Sequence, residues 1–124
     1  MKQVISSGNA PKAVGPYSQG IKSGEFLFLS GQIPLRPDGS LVEGDIEAQA
    51  AQVLENIKAL LSEAGMGFQN VVKSTMFLAD LADFQKANEV YAKYFTEPYP
   101  ARVTIQVAGI PKGARIEIEV TAKA

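Results

Sequence analysis

The chain has 124 residues, a length typical of one domain, and its 12 lysine and arginine residues nearly balance 13 aspartate and glutamate residues. It contains no histidine and no cysteine, which excludes a Ser-His-Asp or Cys-His nucleophile, a thiol redox pair and a zinc site built from those ligands. Any acid–base chemistry therefore falls to carboxylates, tyrosine or lysine.

Charge and hydropathy also narrow the partners that we expect. The nine lysines are scattered from Lys2 to Lys123, so no basic surface is predicted for nucleic acid. The longest apolar runs are far shorter than the about 18 residues that span a bilayer, and the first twelve residues lack the apolar segment of a leader peptide. No repeat or linker divides the chain. We therefore expect a single domain over residues 1–124 in a soluble, cytoplasmic protein without a membrane or nucleic-acid partner.

The first third of the chain predicts three strands. A short strand over Lys2–Ser6 precedes a loop over residues 7–16, which holds two glycines and two prolines. Tyr17–Ser23 and Phe26–Ile33 then form a predicted hairpin. Phe26–Leu29 is apolar at every position, which is typical of a strand that is buried on both faces and lies inside a sheet.

The middle of the chain predicts two helices separated by a strand. Asp45–Ala64 is apolar at three- and four-residue steps, with Asp45 as the N-cap and Gly65 just beyond the C-terminal end. The β-branched and aromatic residues of Val71–Leu78 predict a strand. Leu81–Phe95 returns to helical spacing before a proline-rich stop.

Two alternating strands, Ala101–Val107 and Arg115–Ala122, complete the order β-β-β-α-β-α-β-β, an α+β fold in which two helices cover one face of a single sheet. We expect the apolar side of each strand to face the helices. The opposite, uncovered face would then carry Arg102, Thr104, Glu117 and Glu119.

Arg102 is the first candidate for chemistry. It opens a strand directly after the stiff Pro98-Tyr99-Pro100 segment, so its planar guanidinium has a rigid base and suits two parallel hydrogen bonds to a carboxylate. The alternative interpretation is an ordinary exposed arginine on a strand.

Glu117 and Glu119 are the second candidate, because they share one strand face with their carboxylates about 7 Å apart along it. If another chain covers part of that face, at least one carboxyl has a raised pKa and can transfer a proton near neutrality. The alternative is a solvated strand face. Tyr17, Ser30 and Asn88 offer hydrogen-bonding groups, although each type is also common in purely structural roles.

Familiar cofactor motifs are absent from the sequence. Gly65-Met66-Gly67 follows a helix instead of a strand and lacks the third glycine of a dinucleotide fingerprint. No phosphate-binding glycine loop and no acidic calcium loop occurs. We expect neither a nucleotide nor a metal.

Short segments spread over the whole chain match a known family of proteins in their order and spacing. They are Asn9-Ala10-Pro11, Gly15-Pro16-Tyr17-Ser18-Gln19-Gly20, Ser30-Gly31-Gln32-Ile33-Pro34, Gln52-Val53-Leu54-Glu55-Asn56-Ile57, Val72-Lys73-Ser74-Thr75, Asn88-Glu89-Val90-Tyr91, Pro100-Ala101-Arg102, and Ile110-Pro111-Lys112-Gly113 running into Glu117-Ile118-Glu119. In order and spacing the sequence resembles the RidA (YjgF-type) reactive intermediate deaminase family.

The resemblance implies a chorismate-mutase-like α+β subunit that forms a homotrimer with clefts between neighbouring subunits. It also implies a cofactor-independent hydrolase that acts on enamines and imines. Such an enzyme deaminates 2-aminoacrylate and related 2-imino acids, such as 2-iminobutanoate and 2-iminopropanoate, which pyridoxal-phosphate enzymes release. The products would be a 2-oxo acid and ammonia.

The same resemblance assigns roles to individual residues. Arg102 would hold the substrate carboxylate, and Glu117 would hold the attacking water or exchange protons with the imine. Thr104 stands where many relatives carry a cysteine, so either its hydroxyl replaces the thiol or the substrate range shifts. The remaining pocket residues would be Tyr17, Ser30, Gly31 and Asn88.

Two other functions have been attached to this family. One is a small-carboxylate binding or chaperone-like module without turnover, which the Arg102 guanidinium would serve equally well. The other is a ribonuclease-type translation inhibitor. The absence of histidine and of a basic stripe argues against that second role.

Overall fold

Six strands form one mixed sheet, and two α-helices cover one of its faces, in a computed structural model that describes all residues from 1 to 124. Every adjacent pair in the sheet is antiparallel except β4 and β5, which are parallel, and the spatial order is β1-β2-β3-β6-β4-β5. The predicted order of strands and helices is confirmed. In chain order the elements are β1 (Lys2–Ile5), β2 (Gly20–Ser23), β3 (Phe26–Leu29), α1 (Ile46–Glu63), β4 (Val71–Leu78), α2 (Phe84–Tyr91), β5 (Ala101–Gln106) and β6 (Ile116–Lys123).

Helix α1 begins and ends where the sequence predicts. The Asp45 side chain accepts a hydrogen bond of 2.9 Å from the amide of Ala48. At the other end Gly65 has a φ of 72°, and the Met66 amide donates to the Leu61 carbonyl oxygen at 2.9 Å. These bonds satisfy terminal backbone groups. The helix buries its apolar side against the sheet, which forms the main core.

Helix α2 is shorter than the predicted span of Leu81–Phe95. Residues 81–83 form a 3₁₀ turn, and after Tyr91 the amide of Tyr94 donates to the Tyr91 carbonyl oxygen at 3.0 Å, a three-residue step. This tighter turn carries Phe95 into the core, where its ring stacks on Tyr91 with the centroids 4.1 Å apart. The helical spacing of the sequence continues past the end of α2 because Phe95, four residues after Tyr91, is still buried against that ring.

The faces of the sheet follow from the register of β4 with its two neighbours. Arg102 pairs with Ser74 and Thr104 with Met76, and both β4 residues are buried on the helix side. Glu117 and Glu119 of β6 pair with β4 residues of the opposite, uncovered face, which are Phe77 and Thr75. Because paired residues share a face, Arg102 and Thr104 lie on the helix face. The prediction that they share the uncovered face with Glu117 and Glu119 is therefore wrong.

The uncovered face carries large apolar side chains as well as Glu117 and Glu119. Phe26 and Phe28 of β3 are 40% and 47% exposed, and Val103 and Ile105 of β5 are 41% and 42% exposed. β3 does lie inside the sheet, as predicted, but only its Leu27 and Leu29 side is buried within the chain. The predicted burial on both faces is not met by one chain alone. Neither helix is both long and apolar enough to cross a lipid bilayer.

Candidate active site

Glu117, Gly31 and Tyr17 form what we call the acid half-site. An antiparallel bridge joins Gln32 to Ile118, with amide-to-carbonyl hydrogen bonds of 2.8 and 3.1 Å, and so brings Gly31 against Glu117. A β-carbon at position 31 would overlap the Glu117 Oε2 atom and lie 3.0 Å from its Cδ. Glycine is therefore the residue that leaves room for the carboxylate here.

An open cavity of about 620 Å³ lies beside this carboxylate. Tyr17 is half exposed at its wall, and Lys12 and Lys112 also line it. The cavity is larger than a three- or four-carbon acid requires. It therefore has room for a small substrate and for side chains of a second molecule.

Burial raises the pKa of Glu117 above its ordinary value of 4.5, and the negative charge of Glu119 raises it further. The sequence predicts a raised pKa for one of these two carboxyls only where a second chain covers the face. In the structure the single chain already desolvates Glu117. A carboxyl with a raised pKa can both accept and return a proton closer to neutral pH.

Ser30 supports the acid half-site instead of lining its cavity. Its hydroxyl donates to the Ser18 carbonyl oxygen at 2.5 Å, and its amide donates to the Gln19 carbonyl oxygen at 3.0 Å. The buried Gln19 side chain in turn donates to the Pro11 carbonyl oxygen at 2.8 Å. These bonds fix the segment that carries Tyr17. Sequence reasoning missed Gln19, whose burial as a polar residue is not visible in hydropathy alone.

Arg102, Asn88 and Thr104 form the cation half-site, at the edge strand β5. The Arg102 Nη1 atom donates to the Asn88 Oδ1 atom at 2.7 Å. The guanidinium carbon also lies 4.8 Å from the centroid of the Tyr91 ring and 5.6 Å from that of Phe84. From the sequence, these two rings are apolar members of the predicted helix Leu81–Phe95 and fit core positions. Their spacing with Asn88, at positions 84, 88 and 91, already places all three on one side of α2.

The cation half-site contains polar groups that lack partners within the chain, as Thr104 and a comparison of Arg102 with Arg115 show. The Thr104 Oγ1 atom is buried and has no hydrogen-bond partner. Arg115 is already neutralised, because its Nε and Nη2 atoms donate to the two Asp83 carboxylate oxygens at 3.2 and 2.8 Å. Arg102 has no carboxylate partner, since it is absent from the ion pairs of the chain. Its guanidinium therefore keeps N–H groups for an external anion.

The two half-sites of one chain do not meet. Arg102 and Glu117 lie on opposite faces of the sheet, on strands separated by β4, and their register positions differ by three residues. This separation is roughly 10 Å across the strands and roughly 10 Å along them. No group of three or more carboxylate side chains is placed to hold a metal ion.

Comparisons with known proteins agree with the fold and with the sequence resemblance. Residues 7–124 match the family model described as Endoribonuclease L-PSP. A RutC family protein of Pyrococcus horikoshii is 56% identical over 123 residues, 98% of each chain. The human protein named 2-iminobutanoate/2-iminopropanoate deaminase is 47% identical over 123 residues, covering 98% of this chain and 90% of its own. The crystal structure of E. coli TdcF with bound serine is 41% identical, with a TM-score of 0.93 over 98% of each chain.

The fold and the matches together define an α+β protein of the chorismate-mutase-like type, and they support an enzyme of the deaminase class. The chain belongs to the RidA (YjgF-type) family, as its sequence predicts.

Proposed function

We propose that this protein hydrolyses small 2-imino acids, with 2-iminopropanoate and 2-iminobutanoate as the expected substrates, to 2-oxo acids and ammonia. The proposal rests on one pair of observations. Arg102 lacks a carboxylate partner and can bind an anion, and Glu117 has a pKa that burial raises, so it can exchange a proton. The human relative is named for these two substrates. The serine bound in the E. coli relative is likewise a small carboxylate with nitrogen on the adjacent carbon.

The reaction is assigned to these residues as follows. Arg102 binds the substrate carboxylate through N–H groups that Asn88 does not use, which fixes the plane of the imine. Glu117 accepts a proton from a water molecule as the water oxygen bonds to the imine carbon, and it passes this proton to the nitrogen to give a carbinolamine. Glu117 then moves the hydroxyl proton of the carbinolamine to the same nitrogen, so that the carbon–oxygen double bond forms as the carbon–nitrogen bond breaks and ammonia leaves. When the substrate is 2-aminoacrylate, addition of a proton to its terminal carbon and loss of a proton from its nitrogen first produce 2-iminopropanoate. Every step is proton transfer or addition of water, so the proposal needs no cofactor.

Thr104 supplies the remaining polar contact in this scheme. Its buried hydroxyl has no partner within the chain, and it lies two residues from Arg102 on the same face of β5. A water or substrate atom in the cleft would satisfy it. Tyr17 and Gly31 then shape the opposite wall beside Glu117.

The proposed assembly is a homotrimer in which the acid half-site of one subunit faces the cation half-site of the next. Two observations support it. The half-sites of one chain lie on opposite faces of the sheet, and the uncovered face exposes four large apolar side chains, Phe26, Phe28, Val103 and Ile105. A face of this kind is typical of an interface.

A direct test generates 2-aminoacrylate with a pyridoxal-phosphate dehydratase and follows the decay of imine absorbance. Adding the protein should accelerate the decay, whereas the Arg102→Ala variant at the same concentration should not. If the wild-type protein binds a 2-oxo acid stoichiometrically but leaves the decay rate unchanged, the protein is the small-carboxylate binding module instead. An RNA substrate is disfavoured because the chain has 12 basic against 13 acidic residues and no histidine.

A further inference from the structure

The guanidinium of Arg102 rests on an aromatic support that the proposed reaction does not otherwise use. The Tyr91 ring centroid is 4.8 Å from the guanidinium carbon, and the Phe84 ring centroid is 5.6 Å from it. Both distances are within the range of cation–π contacts. Because Asn88 takes one N–H group at 2.7 Å, the aromatic faces and the amide together restrict both the tilt and the rotation of the guanidinium.

Tyr91 is the better-fixed of the two rings. It is 5% exposed, its ring stacks on Phe95 with the centroids 4.1 Å apart, and its hydroxyl forms a 2.7 Å hydrogen bond with the buried Ser74 hydroxyl. Burial raises the pKa of Tyr91 above its ordinary value, so the hydroxyl stays protonated at neutral pH. This tyrosine is suited to support a cation and not to transfer a proton.

A preorganised guanidinium affects binding in a specific way. A free arginine side chain loses rotamer freedom when it binds a carboxylate, and that loss weakens the association. A side chain already held flat against a fixed ring loses less. The same carboxylate contact exists in the bound substrate and in the transition state, so the benefit should appear in KM and in ligand affinity and much less in kcat.

We propose that Tyr91 is a positioning residue of the carboxylate site, and that it acts through the ring face on which the Arg102 guanidinium rests. The Tyr91 hydroxyl bonds Ser74, and although burial has the larger effect on the pKa of this hydroxyl and raises it, the nearby Arg102 guanidinium acts to lower it. Because Phe95 holds the ring independently of the hydroxyl, we expect the ring face to supply most of the positioning. The inference rests on the carboxylate-binding role of Arg102 in the proposed function, and on turnover only for its kinetic readout.

The test compares Tyr91→Leu, which removes the ring, with Tyr91→Phe, which keeps the ring and removes the hydroxyl. Tyr94→Leu is the matched control, because that ring packs on Phe68, its hydroxyl bonds Glu55, and the rings within cation–π distance of Arg102 are Phe84 and Tyr91 instead. Calorimetry with 2-oxobutanoate measures affinity, imine decay measures KM and kcat, and thermal unfolding measures stability.

Tyr91→Leu should weaken 2-oxobutanoate binding and raise KM by about threefold to thirtyfold, the range of a lost cation–π contact, with a much smaller change in kcat. Tyr91→Phe should restore affinity and KM to within about twofold of wild type while unfolding at a lower temperature, because Ser74 loses its buried partner. Tyr94→Leu should leave affinity unchanged.

The inference fails if Tyr91→Leu binds 2-oxobutanoate as tightly as Tyr94→Leu does, or if Tyr91→Phe loses as much affinity as Tyr91→Leu. If Tyr91→Leu does not fold, Tyr91→Met, which fills the core with a flexible side chain and has no aromatic face, decides by the same comparison and with the same expected loss. A wild-type protein that binds 2-oxobutanoate without accelerating imine decay would overturn the proposed function and leave this comparison decisive. A wild-type protein that binds no 2-oxo acid would overturn both.

Discussion

The cation half-site and the acid half-site lie on opposite faces of the same sheet, and different interactions set the properties of their charged side chains. Asn88 and two rings of α2 fix the orientation of Arg102 at the edge of the sheet. Glu117 instead lies on an inner strand, where burial and Glu119 raise its pKa and Gly31 leaves it space. One side chain is oriented without being neutralised, and the other is desolvated without being paired. In the assembly that we propose, chemistry begins only where two chains bring the two side chains together.

The largest expected effect is on the acid side. Glu117→Gln keeps the size and the hydrogen-bonding ability of the side chain and removes its ability to accept a proton, so kcat should fall by about 100-fold to 10,000-fold. Affinity for 2-oxobutanoate, measured by calorimetry, should change by less than about threefold, because Arg102 still holds the carboxylate. Undiminished turnover of imine in this variant would remove Glu117 from the mechanism.

On the cation side, Arg102→Ala should lower kcat/KM by about 30-fold to 1,000-fold, equivalent to about 2–4 kcal/mol of lost charge-assisted hydrogen bonding. Arg102→Lys should recover little, since an ammonium group cannot form the paired bonds of a guanidinium. Co-refolding of equal amounts of Arg102→Ala and Glu117→Gln should restore up to about a quarter of wild-type activity, because that share of randomly formed clefts has both native side chains. Inactivity of the mixture, with mixed oligomers verified by mass, would show that the half-sites do not meet between subunits.

Gly31→Ala tests whether the space beside the carboxylate matters. The added methyl group would collide with Glu117 and displace it, so kcat should fall by about 10-fold to 100-fold, with the unfolding temperature as a check on integrity. Gly8→Ala is the matched control, because nothing lies within 4 Å of a β-carbon at that position. Equal activity of the two variants would show that turnover does not depend on the position of the Glu117 carboxylate beside Gly31.

The sequence predicts most of the fold, and the residue pattern together with the family resemblance names the candidate site residues, but neither shows how the half-sites are arranged. Periodicity, the Asp45 cap and Gly65 locate α1 to within a residue at each end. Alternation in β5 shows that Arg102 and Thr104 share a face, yet it does not show which face, because an edge strand has apolar side chains on the side that a second chain can cover. Only the register with β4, set by contacts distant in sequence, places them on the helix side.

The sequence also does not show that Phe84 and Tyr91 support the Arg102 guanidinium. Phe84 and Tyr91 fit the apolar stripe of a helix, and hydropathy assigns them to the core. A buried ring can present its face to a cation without losing its core contacts, so one residue type serves both purposes. A ring that only fills the core and a ring that also supports a cation have the same spacing in the sequence. The neighbouring strand, which brings Arg102 to the ring, decides between the two roles.

Thr104→Val is expected to separate stability from activity. Valine has nearly the shape of threonine and lacks the buried hydroxyl that has no partner in the chain, so the free energy of unfolding should rise by about 1 kcal/mol. If a water or substrate atom uses that hydroxyl in the cleft, kcat/KM should fall by about threefold to tenfold. Denaturant unfolding and imine decay on the same preparation measure both. A variant that gains stability and keeps full activity would assign Thr104 to packing alone.

The smallest expected effect is a pH dependence of stability that comes from Glu117. Its pKa in the folded chain is raised above the ordinary value of 4.5, so the folded state holds this proton more tightly than the unfolded state does. The resulting stabilisation is fully present below pH 4.5 and is lost as pH rises through the raised pKa. Urea unfolding across this window should therefore show a less negative slope with pH for Glu117→Gln than for wild type, at equal protein concentration. Glu119→Gln should lie between them, because removing the neighbouring charge lowers the pKa of Glu117 without removing its burial. Superimposable profiles for all three proteins would show that the pKa of Glu117 is the same in the folded and the unfolded protein, and the raised pKa would no longer distinguish the acid half-site.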